Sequence, residues 1–242
     1  MIVGLPLAGA IVGSFLAVLL IRWPAGETAI AGRSRCDDCR RTLTPAEMVP
    51  ILSWIALRGR CGGCRVRIDP RHVAMEVAAV AIGLAAALAH GNPLGLASAL
   101  FGWWLLILAA LDAEHHWLPD RLTLPLVPAG LAVAALGLGP ALVDRLAGAV
   151  TGYASLALIA LAYRALRRRE GLGGGDPKLL AAIGAWLGWQ QLPLVLLAAG
   201  LIGLAHVAVR RFSGHPVSGS DALPLGTLMA IAAWPLWLIA AS

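Results

Sequence analysis

Apolar runs close to the ~20 residues that a helix needs to cross a hydrocarbon layer recur along nearly the whole chain. They cover residues 3–21, 73–89, 94–111, 122–138, 146–162, 192–209 and 223–240. A shorter run, 177–189, follows Gly173-Gly174-Gly175 and reads as a spanning helix with a frayed or wet first turn. Charged residues make up only 13% of the 242, and the 59% hydrophobic residues together with 28 glycines about 71%, against roughly 25% and 45–50% on the same glycine-inclusive set in soluble chains. Such a composition cannot cover a water-exposed surface, and it excludes disordered, collagen-like and disulfide-scaffold chains. The pattern predicts an all-α membrane protein of about eight transmembrane helices.

No Lys or Arg precedes Arg22, so the first run lacks the basic flank of a cleaved signal and reads as a retained helix. With eight crossings, 18 of the 19 basic residues fall on one side, among them Arg33, Arg35, Arg40, Arg41, Arg58, Arg60, Arg65, Arg67, Arg164 and Arg169. Lys and Arg favour cytoplasmic loops, which places that side in the cytoplasm. Only Arg145 falls outside, next to Asp144 as a candidate partner. Topology thus accounts for the net charge of +6, and nucleic acid is not an expected partner.

Three parts follow from this reading: a first helix over 1–21, a polar cytoplasmic loop over 22–72, and a helical bundle over 73–242. The loop is too small for a core of its own. It carries all four cysteines, as Cys36-Asp-Asp-Cys39 and Cys61-Gly-Gly-Cys64. Two such pairs suit one tetrahedral zinc ion, whose four thiolate ligands would leave no open position and make the metal structural. A disulfide or redox use, or four reduced bystanders, are the alternatives; the reducing cytoplasm disfavours a disulfide.

Ionisable residues inside a bilayer are expensive and informative. None stands at the middle of a run; Glu76 lies about a turn into the second. Asp112, Asp120 and Asp176 gather at the cytoplasmic rim. Asp112 sits at a helix C-terminus, where the dipole disfavours an anion. Asp120 and Asp176 each precede a run and fit N-caps, Asp176 with Pro177 at the first helical position. As a pair, Asp112 and Asp176 fit aspartic-protease chemistry, in which two carboxyls share a proton. A capping Asp176 would be the ionised member and leave the proton on Asp112. A transporter would carry midplane polar features, which are missing; a transporter or a non-catalytic secretion scaffold are the competing readings.

Several stretches taken in order resemble the signatures of bacterial prepilin peptidases, the type IV leader peptidase family. They are Gly13-Ser14-Phe15-Leu16, the run from Pro50 to Trp54, Leu57-Arg58-Gly59-Arg60-Cys61, the two cysteine pairs, Glu76, the stretch from Asp112 to Pro125, and Gly173-Gly174-Gly175-Asp176-Pro177-Lys178. Ala17 stands where the family commonly has Asn. The resemblance implies catalytic Asp112 and Asp176, supported by Gly173, Gly175 and Lys178, and a polar network for a second activity at Glu76, which otherwise snorkels or pairs with Arg71. It further implies a place in the bacterial inner membrane, prepilin or type II secretion pseudopilin substrates, cleavage of a basic leader at the cytoplasmic face, and methylation of the new N-terminus from S-adenosylmethionine.

Overall fold

The computed structural model describes residues 2–29, 33–168, 171–213 and 223–241; Arg169, one of the basic residues placed on the cytoplasmic side, lies outside them. Regular structure among the described residues is helical, apart from two isolated bridges, Arg35 with Thr42 and Arg60 with Arg67. The chain forms two compact units, Met1–Ile107 and Leu108–Ser242.

The first unit is built on α1 (Gly4–Arg22) packed along α3 (Pro70–Ala89), with a short α2 (Leu52–Ala56) in the polar loop between them. Without an apolar-water contrast, helices in lipid associate through close backbone approach at small residues. Gly9 and Gly13 supply that approach on α1: a side chain on Gly9 would run into the Ala79 carbonyl, and one on Gly13 would stand 2.6 Å from the Met75 carbonyl oxygen. Asp69 caps α3, accepting from the Arg71 amide at 2.9 Å, and Pro70 fills the first helical position. α4 (Leu94–His115) begins in this unit, and its Trp103 Nε1 donates to the Ala79 carbonyl at 2.8 Å.

The second unit holds the last turns of α4, then α5 (Asp120–Ala135), α6 (Leu142–Arg167), α7 (Asp176–Leu187), α8 (Leu192–Phe212) and α9 (Leu225–Ala240). α7 is its axis. All of its residues but Lys178 are buried, and α5, α6, α8 and α9 all touch it. Gly148 and Gly152 of α6 meet the backbone at Gly184 and Leu180, while Gly130 of α5 faces Ala185 and Trp186.

Each of the eight apolar runs becomes a helix, but among the described residues only five helical stretches, α1, α3, α4 and α6 included, are long and apolar enough to cross a membrane on their own. Eight spans are therefore not established. α7, with 12 residues, is about 18 Å long against a ~30 Å hydrocarbon layer. Its neighbours rather than lipid surround it, so its ends need not reach the headgroups.

Arg145 does not pair with Asp144. Adjacent helical residues point about 100° apart, and Arg145 turns inward, fully buried. Its guanidinium donates to the carbonyls of Gly130, Leu138 and Pro140 and lies 5.1 Å from the Trp237 ring centre. Asp144 instead accepts from Trp189 Nε1 and Gln190 Nε2 at 3.0 and 2.8 Å.

Candidate active site and metal centre

Asp112 lies in the last turn of α4 and is buried. Its Oδ2 accepts from the Thr227 amide at 2.7 Å and from the Thr227 hydroxyl at 3.1 Å, and that hydroxyl also donates to the Ala109 carbonyl at 2.9 Å. Thr227 belongs to the first turn of α9. The unfavourable C-terminal end of α4 is thus offset by a second helix whose positive N-terminus meets the carboxylate. Gly226 makes this approach possible: a Cβ there would come within 2.8 Å of Leu118 Cδ1 and 3.0 Å of Asp112 Oδ2.

Asp176 is the first residue of α7 and precedes the apolar part of that helix. Gly175, not Asp176, occupies the N-cap. Asp176 Oδ2 folds back to accept from the Gly173 amide at 3.1 Å, which is possible because its own backbone already has helical geometry. Burial pushes the Asp176 carboxyl up to about 6, the charge on Asp112 adds to this, and the Gly173 amide opposes it. The capping role from which an ionised Asp176 was expected is therefore absent. An N-cap accepting several backbone amides would have held Asp176 ionised, whereas a buried first-turn residue with one such bond holds a proton more readily.

Leu118 lies against a glycine beside each aspartate, Gly175 next to Asp176 and Gly226 next to Asp112. A Cβ on Gly175 would stand 2.7 Å from the Leu118 Cβ, and the Leu118 Cδ1 is the atom that Gly226 accommodates. Gly173 and Gly174 remain exposed beside Asp176. Lys178 faces away from the pair and grips Asp120, its Nζ donating to the two carboxylate oxygens at 2.7 and 2.8 Å. That bond joins the start of α7 to the start of α5. Asp120 consequently does not act as an N-cap; Pro119 holds that position without a side-chain bond.

In the first unit, Cys36, Cys39, Cys61 and Cys64 form one cluster with all four sulfurs within 4.8 Å of one another. Cys36 and Cys64 Sγ are 3.9 Å apart, close to the ~3.8 Å edge of a tetrahedron with ~2.3 Å metal–sulfur bonds and far from the ~2.05 Å of a disulfide. The two halves repeat one turn. The Cys36 amide donates to the Arg41 carbonyl as Cys61 does to Val66, and the Arg40 amide returns to Cys36 as Arg65 does to Cys61. Both turns need a left-handed residue, Arg40 at φ 58° and Arg65 at φ 62°. The Gly63 amide also donates to Cys61 Sγ at 3.4 Å. The donor set fits a closed four-sulfur metal site.

Glu76 is buried on α3 and accepts from the Ile51 amide at 2.8 Å. It does not pair with Arg71, whose guanidinium is held by Asp69 at 2.5–3.0 Å. Glu76 is the one buried carboxylate among the described residues of this unit.

Thr227, Gly226 and Leu118 escaped the reading of the sequence. A threonine in the first turn after Pro224-Leu225-Gly226 was visible as a helix start, but nothing local ties it to a residue 115 positions earlier.

Two family models match the chain: the bacterial peptidase A24 N-terminal domain over residues 7–90 and the type IV leader peptidase family over 99–208. Similar proteins include the prepilin leader peptidase/N-methyltransferase of Aeromonas hydrophila, 41% identical over 84% of this chain and 70% of its own length. Proteins of the same name are 44% identical in Burkholderia pseudomallei strain K96243, over 86% and 67%, and 34% identical in Stutzerimonas stutzeri, over 93% and 86%. No solved structure matches the chain.

Proposed function

We propose that this chain, which belongs to the type IV leader peptidase family, is a bifunctional enzyme of the bacterial inner membrane. It cleaves the basic leader from prepilins or pseudopilins at the cytoplasmic face and then methylates the new N-terminus. The observation that carries the first step is the pair of buried carboxyls, Asp112 and Asp176, in one unit with an electrostatic coupling between them.

In this reading Asp176 carries the shared proton and Asp112 is the base. Asp112 takes a proton from a water whose oxygen attacks the scissile carbonyl carbon, while Asp176 gives its proton to the carbonyl oxygen. Collapse of the tetrahedral intermediate breaks the C–N bond; the proton on Asp112 passes to the leaving amine, and one hydroxyl of the intermediate returns its proton to Asp176 as the new carboxyl forms. Thr227 holds Asp112 in place throughout, and Lys178 fixes the helix that presents Asp176. The exposed glycines at 173 and 174 admit water and an extended substrate backbone beside the pair.

The four cysteines hold zinc as a structural ion that shapes the 22–72 loop, and the peptidase lies in the 73–242 part. S-adenosylmethionine supplies the methyl group for the second step. On this chain, Glu76 is the residue suited to hold a protonated or departing-proton amine, being a buried carboxylate with a single backbone donor.

The test is to incubate the full chain, purified in detergent, with a prepilin and S-adenosylmethionine and to weigh the product. The reading expects a shortened pilin carrying one methyl group, and no cleavage by Asp112→Asn or Asp176→Asn. If both variants still cut, the dyad is wrong; a wild-type chain that never cuts would favour a scaffold or transporter.

A further inference from the structure

The loop before α3 exposes apolar side chains that a solvated segment would bury. Met48 and Val49 are 43% and 42% exposed, and Leu52 and Ile55 of α2 are 65% and 59% exposed. Leu52 and Ile55 are three residues apart and share one helix face. We propose that residues 48–56 form an interfacial anchor, with this face seated in the headgroup region of an anionic lipid leaflet.

Depth is set by the bond from the Ile51 amide to Glu76. Glu76 lies six residues into α3 and three past the start of its apolar run, hence about 5–9 Å along the axis from the polar end. The segment pinned to it is therefore level with the headgroup and upper acyl region, the depth at which amphipathic interfacial helices lie. The pin is tight. Ile51 is β-branched yet adopts φ 62°, a strained conformation that survives only where surrounding contacts impose it.

Charge identifies the partner. Arg58 and Arg60 follow α2 at once, Arg65 and Arg67 come next, and all four are exposed. A basic cluster at the end of a spanning helix is drawn to acidic phospholipids on the cytoplasmic leaflet. A basic prepilin leader would be repelled by the same arginines, so the substrate is the weaker occupant. An apolar face backed by arginine and tied to a span at this depth matches a lipid surface.

The experiment places a fluorescent amino acid by codon suppression at Leu52 or Ile55, and at Asp38 or Ala46 as exposed references, which leaves the four cysteines intact. The full chain is reconstituted in phosphatidylcholine vesicles with or without phosphatidylglycerol, each carrying nitroxide lipid. Quenching at 52 and 55 should exceed that at 38 and 46 severalfold, and should rise with phosphatidylglycerol. Arg58→Ala together with Arg60→Ala should flatten that rise. Equal quenching at all four positions would overturn the anchor, as would protection of position 52 that appears only on adding a prepilin or more of the chain itself. Strong quenching unaffected by phosphatidylglycerol would overturn the assignment of an anionic surface.

Discussion

Replacing Asp176 by Asn should destroy the proposed hydrolysis and yet make the protein more stable. A carboxyl raised from an ordinary 3.8 to about 6 is penalised by about 3 kcal/mol when charged, at ~1.36 kcal/mol for each pH unit between those values. Gly173 and Gly174 stand open to solvent beside it, and water there screens part of the penalty, leaving about 1–2 kcal/mol. Asn is the same size and keeps an oxygen to accept from the Gly173 amide, so the change removes charge and little else. The sign follows from proton linkage. A raised pKa means the native state binds the proton more tightly than the unfolded chain does, so its stabilising effect is complete below about pH 4. It is lost as pH rises through about 6. The gap in melting temperature between Asp176→Asn and the wild type should therefore be small at pH 4 and reach about 2–8 °C by pH 7.5, at ~2–4 °C per kcal/mol for a chain this long. Intrinsic tryptophan fluorescence in detergent reads both curves. An Asn variant that melts lower at neutral pH, or an offset that does not change with pH, would refute the argument from burial.

Thr227→Val removes one of the two donors to Asp112; a hydrogen bond to a charged group is worth ~1.5–3 kcal/mol, so prepilin cleavage should slow about 10- to 100-fold while Thr227→Ser recovers it. Cleavage measured against pH should fall as pH rises above about 6, where Asp176 loses its proton, and a rate still climbing to pH 9 would assign the acid to another group. Cys36→Ser should cost the chain about one zinc by metal analysis, since the four sulfurs form a single cluster; unchanged metal content would dissociate the cysteines from zinc. Gly184→Val places a side chain against the Gly148 backbone and should force α6 and α7 apart, lowering the melting temperature by several degrees without altering the composition of the site.

The helices were legible because the signal for each is local: an apolar run long enough for one element, closed off by charge. The cysteine cluster was legible for a similar reason, as each pair lies on one five-residue turn and only the meeting of two turns had to be supplied. The aspartates stood out as carboxylates at the edge of apolar helices. Capping went wrong at Asp120 and Asp176 by a single residue each, since whether a residue is the cap or the first helical position depends on where the preceding loop is anchored. For Asp176 that anchor is the packing of Gly175 on Leu118.

Residue types and spacings within single segments thus determined that this chain is a helical membrane protein, that its cysteines form one set, and that two aspartates are the candidates for chemistry. Tertiary packing alone decided that α9 delivers Thr227 to Asp112, that Arg145 serves three carbonyls instead of Asp144, that Lys178 grips Asp120, and that Glu76 pins a strained Ile51. It also decided which donors and how much solvent surround each aspartate, and these set a carboxyl's affinity for a proton. Those come from helices distant in the chain, and no local pattern records which of them become neighbours.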